Sequence, residues 1–249
     1  MPTFGLVGFP LGHSFSKKYF VDKFVRENID AQYLNFELSD IGQIEEILSH
    51  HPTLKGLNIT IPHKKRVIKY LNLLDESAQA IGAVNVVKVE RDSFNNKITT
   101  IGYNTDVVGF QKSIAPLINK DIHKKALILG TGGAAMAVAQ GLKNLGIEYR
   151  YVSRSKADGV FTYSELDDSL MSQYTIIVNA TPVGTFPNVD EAPDIPYHML
   201  TTEHLLYDLV YNPEQTMFLR KGSPHTSLLK NGMEMLILQA EAAWEIWNG

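Results

Sequence analysis

Apolar and polar positions along the chain change period again and again. A period of two runs through Phe4–Gly8 and Gln32–Glu37, and through the approach to the stretch NITIPHKK. There Leu57, Ile59 and Ile61 fall on one side, and Asn58 and Thr60 on the other. Pro62 lacks an N–H for a ladder and ends that strand. Helical spacing takes over in Ser16–Asn28, where Phe20 and Phe24 lie four apart. It recurs at Ile41, Ile44, Ile47 and Leu48, with Ser39 or Asp40 as the cap. Short helices are predicted over Lys65–Leu71 and Ser77–Ile81. Val84–Val89 and Ile98–Tyr103 flank the polar stretch ERDSFNN and predict a hairpin.

The pattern resets at Lys124. KKALILGTGGAAMAVAQGLKNLG reads as a buried strand, a glycine turn and a helix. Tyr149–Ser153, Thr175–Asn179 and Leu205–Leu209 are further strands, and Val107–Ile118 and Met233–Trp247 further helices. Such alternation predicts an α/β fold with a largely parallel sheet. It divides into two domains with a cleft between them: residues 1–106, completed by a returning C-terminal helix over 233–249, and residues 107–232.

Composition narrows the function classes. The 249 residues are 44% apolar and 20% charged, ordinary for a globular protein. A formal net charge of -4 argues against a nucleic-acid partner held by phosphate contacts. No apolar run approaches the roughly 18 to 20 residues that cross a bilayer. The start, MPTFGLVGFPLGHS, has no basic n-region and reads as a first strand, so a cytoplasmic setting is expected. With no cysteine, disulfides, thiol nucleophiles and Cys-held metals are excluded.

The glycine turn points to a cofactor. Gly130-Thr131-Gly132-Gly133-Ala134 follows an apolar strand and opens a helix of small residues. Gly130 allows the tight turn, Gly132 lets the backbone approach a pyrophosphate, and the helix N-terminus supplies N–H groups and positive potential. At the end of the next strand, a free ribose hydroxyl calls for Asp or Glu and a 2′-phosphate for Arg. The chain has Ser153-Arg154-Ser155-Lys156 there, so the cofactor read is NADP and the second domain Rossmann-like.

Polar groups in the first domain suggest a ligand. Ser14 and Ser16 lie together before the first helix; capping would use one and leave the other free. Asn85 starts a strand in GAVNVV, Asp106 opens a helix in GYNTDVVGF, and Gln239 lies on the last helix. Taken alone, Asp106 is an N-cap and Gln239 a solvent-facing side chain. With Asn58, Thr60 and Lys64 they supply hydroxyls, amides, one cation and one anion. That set suits a small polyhydroxylated carboxylate, and no metal site is read. His13, His50, His51 and His63 show no ligand spacing and read as loop residues.

In order, FPLGHSFS, NITIPHK, GAVN, NTD, GTGGA, NATPVG, YNP and NGMEMLILQA resemble the shikimate dehydrogenase family over Gly5 to Ala243. The resemblance implies reversible NADPH-dependent reduction of 3-dehydroshikimate to shikimate, a step toward chorismate and the aromatic amino acids. It implies that Ser14 and Ser16 bind the substrate carboxylate, and that Thr60, Asn85 and Gln239 hold ring hydroxyls. Lys64 and Asp106 would be the catalytic pair. Tyr211 and Gly232 would lie near substrate and nicotinamide, as would Thr181 and Val183. The chain departs from the family at Thr131, where Ala is common, and at Ser153, where Asn is usual. An enzyme of the same fold using quinate with NAD or NADP stays open, as does a catalytically silent relative; the presence of both Lys64 and Asp106 favours the enzyme. Lys64 either takes the hydroxyl proton or stabilises a developing alkoxide while Asp106 or water moves it. The expected assembly is a monomer or homodimer, with a small molecule as the only other partner.

Overall fold

The computed structural model describes residues 1–12, 15–92, 94–95 and 97–249. They form two compact units, Met1–Thr105 with Ala240–Gly249, and Asp106–Gln239. The return to the first unit thus begins inside the last helix. Met235, on that helix's first turn, belongs to the core of the second unit, whereas Ala240, Ala243 and Trp247 pack in the first.

The first unit contains β1 (Thr3–Gly8), α1 (Phe15–Arg26), β2 (Gln32–Glu37), α2 (Ile44–His50), β3 (Leu54–Ile59), β4 (Leu73–Leu74), α3 (Glu76–Ile81), β5 (Val86–Arg91) and β6 (Ile98–Tyr103). The strands make one sheet in the order β2-β1-β3-β5-β6-β4. β1 is parallel to β2 and β3, while β5 runs antiparallel to β3 and to β6. Period-two alternation fills both faces. Val7, Leu57 and Ile59 join one cluster with Ile44, Val67 and Val87. Phe4 and Leu6 face the other way, onto Phe20, Phe24, Tyr33 and Trp247. Gly56 makes room for the Trp247 indole, since a Cβ there would lie 2.2 Å from the ring. The indole N–H donates to the Val87 carbonyl at 3.1 Å and fixes the end of the last helix.

Three local expectations change. Ile61 was expected beside Leu57 and Ile59 but is 74% exposed, because β3 stops at Ile59 and alternation no longer governs. The run predicted over Lys65–Leu71 is a 3₁₀ turn, Arg66–Tyr70. The helix predicted over Val107–Ile118 is α-helical only to Ile114, with Pro116 in the 3₁₀ turn that follows.

The second unit comprises α4 (Asp106–Ile114), β7 (Lys125–Leu129), α5 (Gly133–Asn144), β8 (Glu148–Ser153), β9 (Val160–Thr162), α6 (Asp168–Gln173), β10 (Ile176–Asn179), β11 (Leu205–Asp208), α7 (Met217–Gly222), β12 (Leu228–Lys230) and the start of α8 (Met233–Asn248). Its sheet is parallel throughout, ordered β12-β11-β10-β7-β8-β9. Read from β9, this is the doubly wound order 3-2-1-4-5-6 of dinucleotide-binding folds. Ala126 and Ile128 bury toward Phe110, Val138 and Leu142, and Leu127 and Leu129 toward Met171 and Phe218. Strands covered on both faces read as continuous apolar runs, which is why ALIL and TIIV carry no alternation. Among the described residues no helix is long and apolar enough to cross a membrane.

Candidate active site

In the first unit the topology delivers the polar motifs to one end of the sheet. β1 and β3 are parallel and finish together at Gly8 and Ile59, with Val7 opposite Ile59. β5 is antiparallel to β3 and starts where β3 ends, and β6 finishes opposite that start, Val86 facing Tyr103. The residues after β1, after β3, before β5 and after β6 therefore share that end.

Hydrogen bonds hold these segments in register. Asn85 donates through Nδ2 to Thr105 Oγ1 at 3.0 Å and accepts from the Thr105 N–H at 2.7 Å. Asn104 donates to the Ala83 carbonyl at 2.9 Å. The motifs GAVN and NTD thus clip one another. Ile59 N–H donates to the Asn85 carbonyl, Thr60 N–H to Val7, and Val84 N–H to Lys64. The Lys64 backbone is fixed through its carbonyl, with its side chain half-buried. Asn58 is buried on the sheet face opposite Leu57 and Ile59, where Oδ1 accepts from the Tyr33 hydroxyl at 2.6 Å. Ser16, half-buried in the first turn of α1, bonds the same hydroxyl. Burial pushes the Tyr33 phenol well up, and the bond from Ser16 offsets part of that effect. Ser16, Asn58, Thr60, Lys64 and Asn85 are brought together; Ser14 and His13 lie outside the described residues.

Two of these partners were not legible in the sequence. Tyr33 is one; His63 is the other. His63 lies in a turn, as a loop residue should, yet its side chain is fully buried. Nε2 lies 2.6 Å from the Leu38 carbonyl, which identifies it as the protonated nitrogen. Nδ1 has no partner among the described residues.

In the second unit Asp106 opens α4 and is buried. One turn on, Gly109 permits close backbone contact with α8. A Cβ there would lie 2.5 Å from the Met235 carbonyl oxygen and 3.1 Å from Gln239 Cβ. Gln239 is therefore not a solvent-facing side chain: it is buried at this crossing, and its Nε2 donates to Leu236 O at 2.9 Å. Tyr211 is half-buried, and burial pushes its phenol up.

A groove of about 790 Å³ runs along the C-terminal ends of β7, β8 and β10. Gly130, Thr131, Gly132, Ser153, Arg154, Thr181 and Val183 are among the residues lining it. β7 and β10 flank the point where strand order reverses, the position at which open α/β sheets take their ligands. Gly130 has φ +101°, a conformation that side chains rarely adopt. A Cβ on Gly132 or Gly133 would meet nothing within 4 Å, so open space lies before the N-terminus of α5. Ala134 follows in its first turn. The arrangement fits a dinucleotide pyrophosphate. Gly232 plays a different part: a Cβ there would sit 2.1 Å from Leu209 O, so this glycine permits main chain to pass main chain.

A further buried group is linked through Asn179 to the groove-lining Thr181. Asp208, fully buried at the end of β11, accepts from Asn179 Nδ2 at 2.9 Å, Val210 N–H at 3.0 Å and Thr216 Oγ1 at 2.6 Å. Asn179 in turn accepts from Thr181 N–H and Oγ1 at 3.1 and 2.6 Å. The carboxyl of Asp208 is pushed up to about 6 by burial, against the three donors that lower it. Its position, at the carboxyl end of a buried parallel strand, was the available signal.

Residues 6–87 match the family described as Shikimate dehydrogenase substrate binding domain. The shikimate dehydrogenase (NADP(+)) of Desulforamulus reducens is 34% identical, over 98% of this chain and 89% of that one. The Methanococcus aeolicus enzyme of the same name is 35% identical, over 98% and 91%. Among solved structures, a shikimate dehydrogenase in complex with NADP+ superposes with TM-score 0.85 at 31% identity, covering 100% of this chain and 90% of that one. The Thermus thermophilus shikimate 5-dehydrogenase in complex with NADP(H) and shikimate gives 0.82 at 26%, covering 100% and 94%.

Proposed function

This chain belongs to the shikimate dehydrogenase family, and we propose that it catalyses the reversible NADPH-dependent reduction of 3-dehydroshikimate to shikimate, a step toward chorismate and the aromatic amino acids. The observation that carries the reading is the convergence of Ser16, Asn58, Thr60, Lys64 and Asn85 at one end of the first sheet. A doubly wound unit with an open glycine turn completes it. A cytoplasmic monomer or homodimer goes with the reading.

Each residue has a part in this proposal. Ser14 and Ser16 bind the substrate carboxylate, whose two oxygens take hydroxyl donors. Asn58, Thr60, Asn85 and Gln239 hold ring hydroxyls, which both donate and accept. Lys64 and Asp106 act on the oxygen that changes oxidation state: the ammonium donates to it in reduction, and Asp106 orients the same hydroxyl. Bound NADPH supplies the hydride. Gly130, Thr131, Gly132, Gly133 and Ala134 cradle its pyrophosphate, Ser153, Arg154 and Ser155 meet the adenosine 2′-phosphate, and Thr181, Val183, Tyr211 and Gly232 bound the nicotinamide.

Two measurements test this. The first follows NADPH oxidation with 3-dehydroshikimate against a panel of other hydroxy-acid ketones, and compares shikimate with quinate in the oxidative direction under NADP and NAD. The expected result is the highest kcat/KM for the shikimate pair with NADP. A preference for quinate would transfer the assignment to the sister activity, and no turnover with either acid would end it. The second is Ser14→Ala. A lost carboxylate contact made equally in ground and transition state raises KM for shikimate about tenfold and leaves kcat within about twofold. A fall in kcat alone would remove Ser14 from carboxylate binding.

A further inference from the structure

The loop expected to hold the cofactor's 2′-phosphate contains two cations, yet the structure treats them differently. Arg154 lines the groove together with Ser153, Thr162, Tyr163 and Ser164. No carboxylate pairs with it among the described residues. Lys156, two residues on, sends its Nζ to Glu165 Oε1 at 3.0 Å. Exposed ion pairs are usually weak, because both side chains must be immobilised. Glu165 is a different partner, since it is fixed before the lysine arrives. Its Oε2 accepts from the Thr162 N–H at 2.7 Å and from Thr162 Oγ1 at 2.9 Å, in the third position of a 3₁₀ turn. Those bonds, led by the Thr162 N–H and joined by Lys156, pull its carboxyl down to about 2. Only the lysine loses freedom when the pair forms.

We infer that Glu165 is a specificity-determining residue, which by holding Lys156 keeps that ammonium from the adenosine 2′-phosphate and leaves Arg154 as the cation that meets it. The inference rests on the NADP reading above and refines it. A 2′-phosphate carries close to two negative charges, and a lysine stem is long enough to swing toward one when released. Glu165 acts against the phosphate by occupying the lysine. A free 2′-hydroxyl carries no charge for the released ammonium to meet. The residue therefore narrows the affinity gap between NADP and NAD without touching either nicotinamide or pyrophosphate.

Glu165→Gln is the informative substitution. Glutamine keeps an oxygen for the Thr162 N–H, so the turn is retained and the charge is removed. Dissociation constants for NADP+ and NAD+ are measured by calorimetry on wild type, Glu165→Gln, Lys156→Gln and the double variant. NADP+ is expected to bind about two- to fivefold tighter to Glu165→Gln, the range of one surface charge pair, with NAD+ unchanged. In the Lys156→Gln background the gain should largely vanish, and Lys156→Gln alone should weaken NADP+ by less than about threefold. Equal tightening of both cofactors, no tightening at all, or a gain that persists without Lys156 would overturn the inference. So would a tenfold or larger loss specific to NADP+ in Lys156→Gln, which would mean that the lysine already reaches the phosphate. Wild-type protein that binds NADP+ no tighter than NAD+ would instead strike the cofactor reading, and the ratio between Glu165→Gln and wild type would still decide this point.

Discussion

Lys64→Ala is expected to lower kcat by roughly 100-fold or more while changing KM for 3-dehydroshikimate by less than about threefold. A hundredfold loss corresponds to about 2.7 kcal/mol of transition-state stabilisation, within reach of one charged hydrogen bond to an oxygen gaining negative charge. The ground-state ketone carries little charge at that oxygen, so the same ammonium adds little to binding. The structure makes the substitution clean. Lys64 is held through its carbonyl, which accepts from Val84, and the flanking His63 is anchored by its ring and its N–H. Alanine retains those main-chain bonds, so the turn survives without the ammonium. Steady-state kinetics in both directions, with a melting curve to verify folding, decide the matter. Activity near wild type, or kcat and KM moving together by the same factor, would take Lys64 out of the chemistry. Lys64→Arg adds a second reading. A guanidinium cannot be deprotonated, so a variant that keeps most of kcat would assign the lysine to electrostatic stabilisation and leave proton movement to Asp106 or water.

The sequence carried most of this architecture through period-two alternation in the first sheet and bounded apolar runs in the second. Leu57 and Ile59 alternate with Asn58, and the structure places them on opposite faces of β3. What failed were features with too few residues to define a period. Val67, Ile68 and Leu71 fit a 3₁₀ turn as well as an α-helical one, since a single turn cannot distinguish 3.0 from 3.6 residues. Ile61 continued the alternation on paper, but the ladder had already ended at Ile59. The site's missing members share a cause. Tyr33 reads as one position of a period-two strand and His63 as a loop residue, each without a local partner. Their partners, Asn58 and Leu38, lie 25 residues away in each case, a separation no local pattern encodes. Lys156, read as a phosphate ligand from its neighbours, also pairs with Glu165, nine positions on and across a turn. Gln239 looked solvent-facing because a helix that is apolar nearly all round gives no sign of which side is buried. In each instance the residue type was legible and its partner was not.

Asp208→Ala is expected to destabilise the protein by about 3 kcal/mol or more at pH 7.5, a fall in Tm of about 6–12 °C for a chain of this size. The cost lies in what the carboxylate leaves behind: the Asn179 amide, the Val210 N–H and the Thr216 hydroxyl, all donating into a fully buried position. Asp208→Asn should be far milder. An asparagine oxygen can receive Asn179 and Val210 while its N–H donates to Thr216 Oγ1, so every group keeps a partner. The two variants separate on pH as well. The folded carboxyl titrates near 6 against 3.8 when unperturbed, because burial disfavours its charge. A pKa raised on folding gives stabilisation that is complete below the unfolded value and lost as pH climbs through the folded one. Wild type should therefore lose about 2 kcal/mol relative to Asp208→Asn between pH 4 and pH 7. Denaturant unfolding across that range measures it, and a pH-independent difference between the two proteins would refute the assignment. A charge kept at that disadvantage has to do something a neutral side chain does less well. Here it orients Asn179, whose oxygen holds the Thr181 N–H and hydroxyl at the groove. An asparagine at 208 can turn its own amide either way, whereas the carboxylate accepts from every direction. Asp208→Asn should then bind NADPH more weakly than wild type even where it is the more stable protein, with stability and cofactor affinity moving in opposite directions.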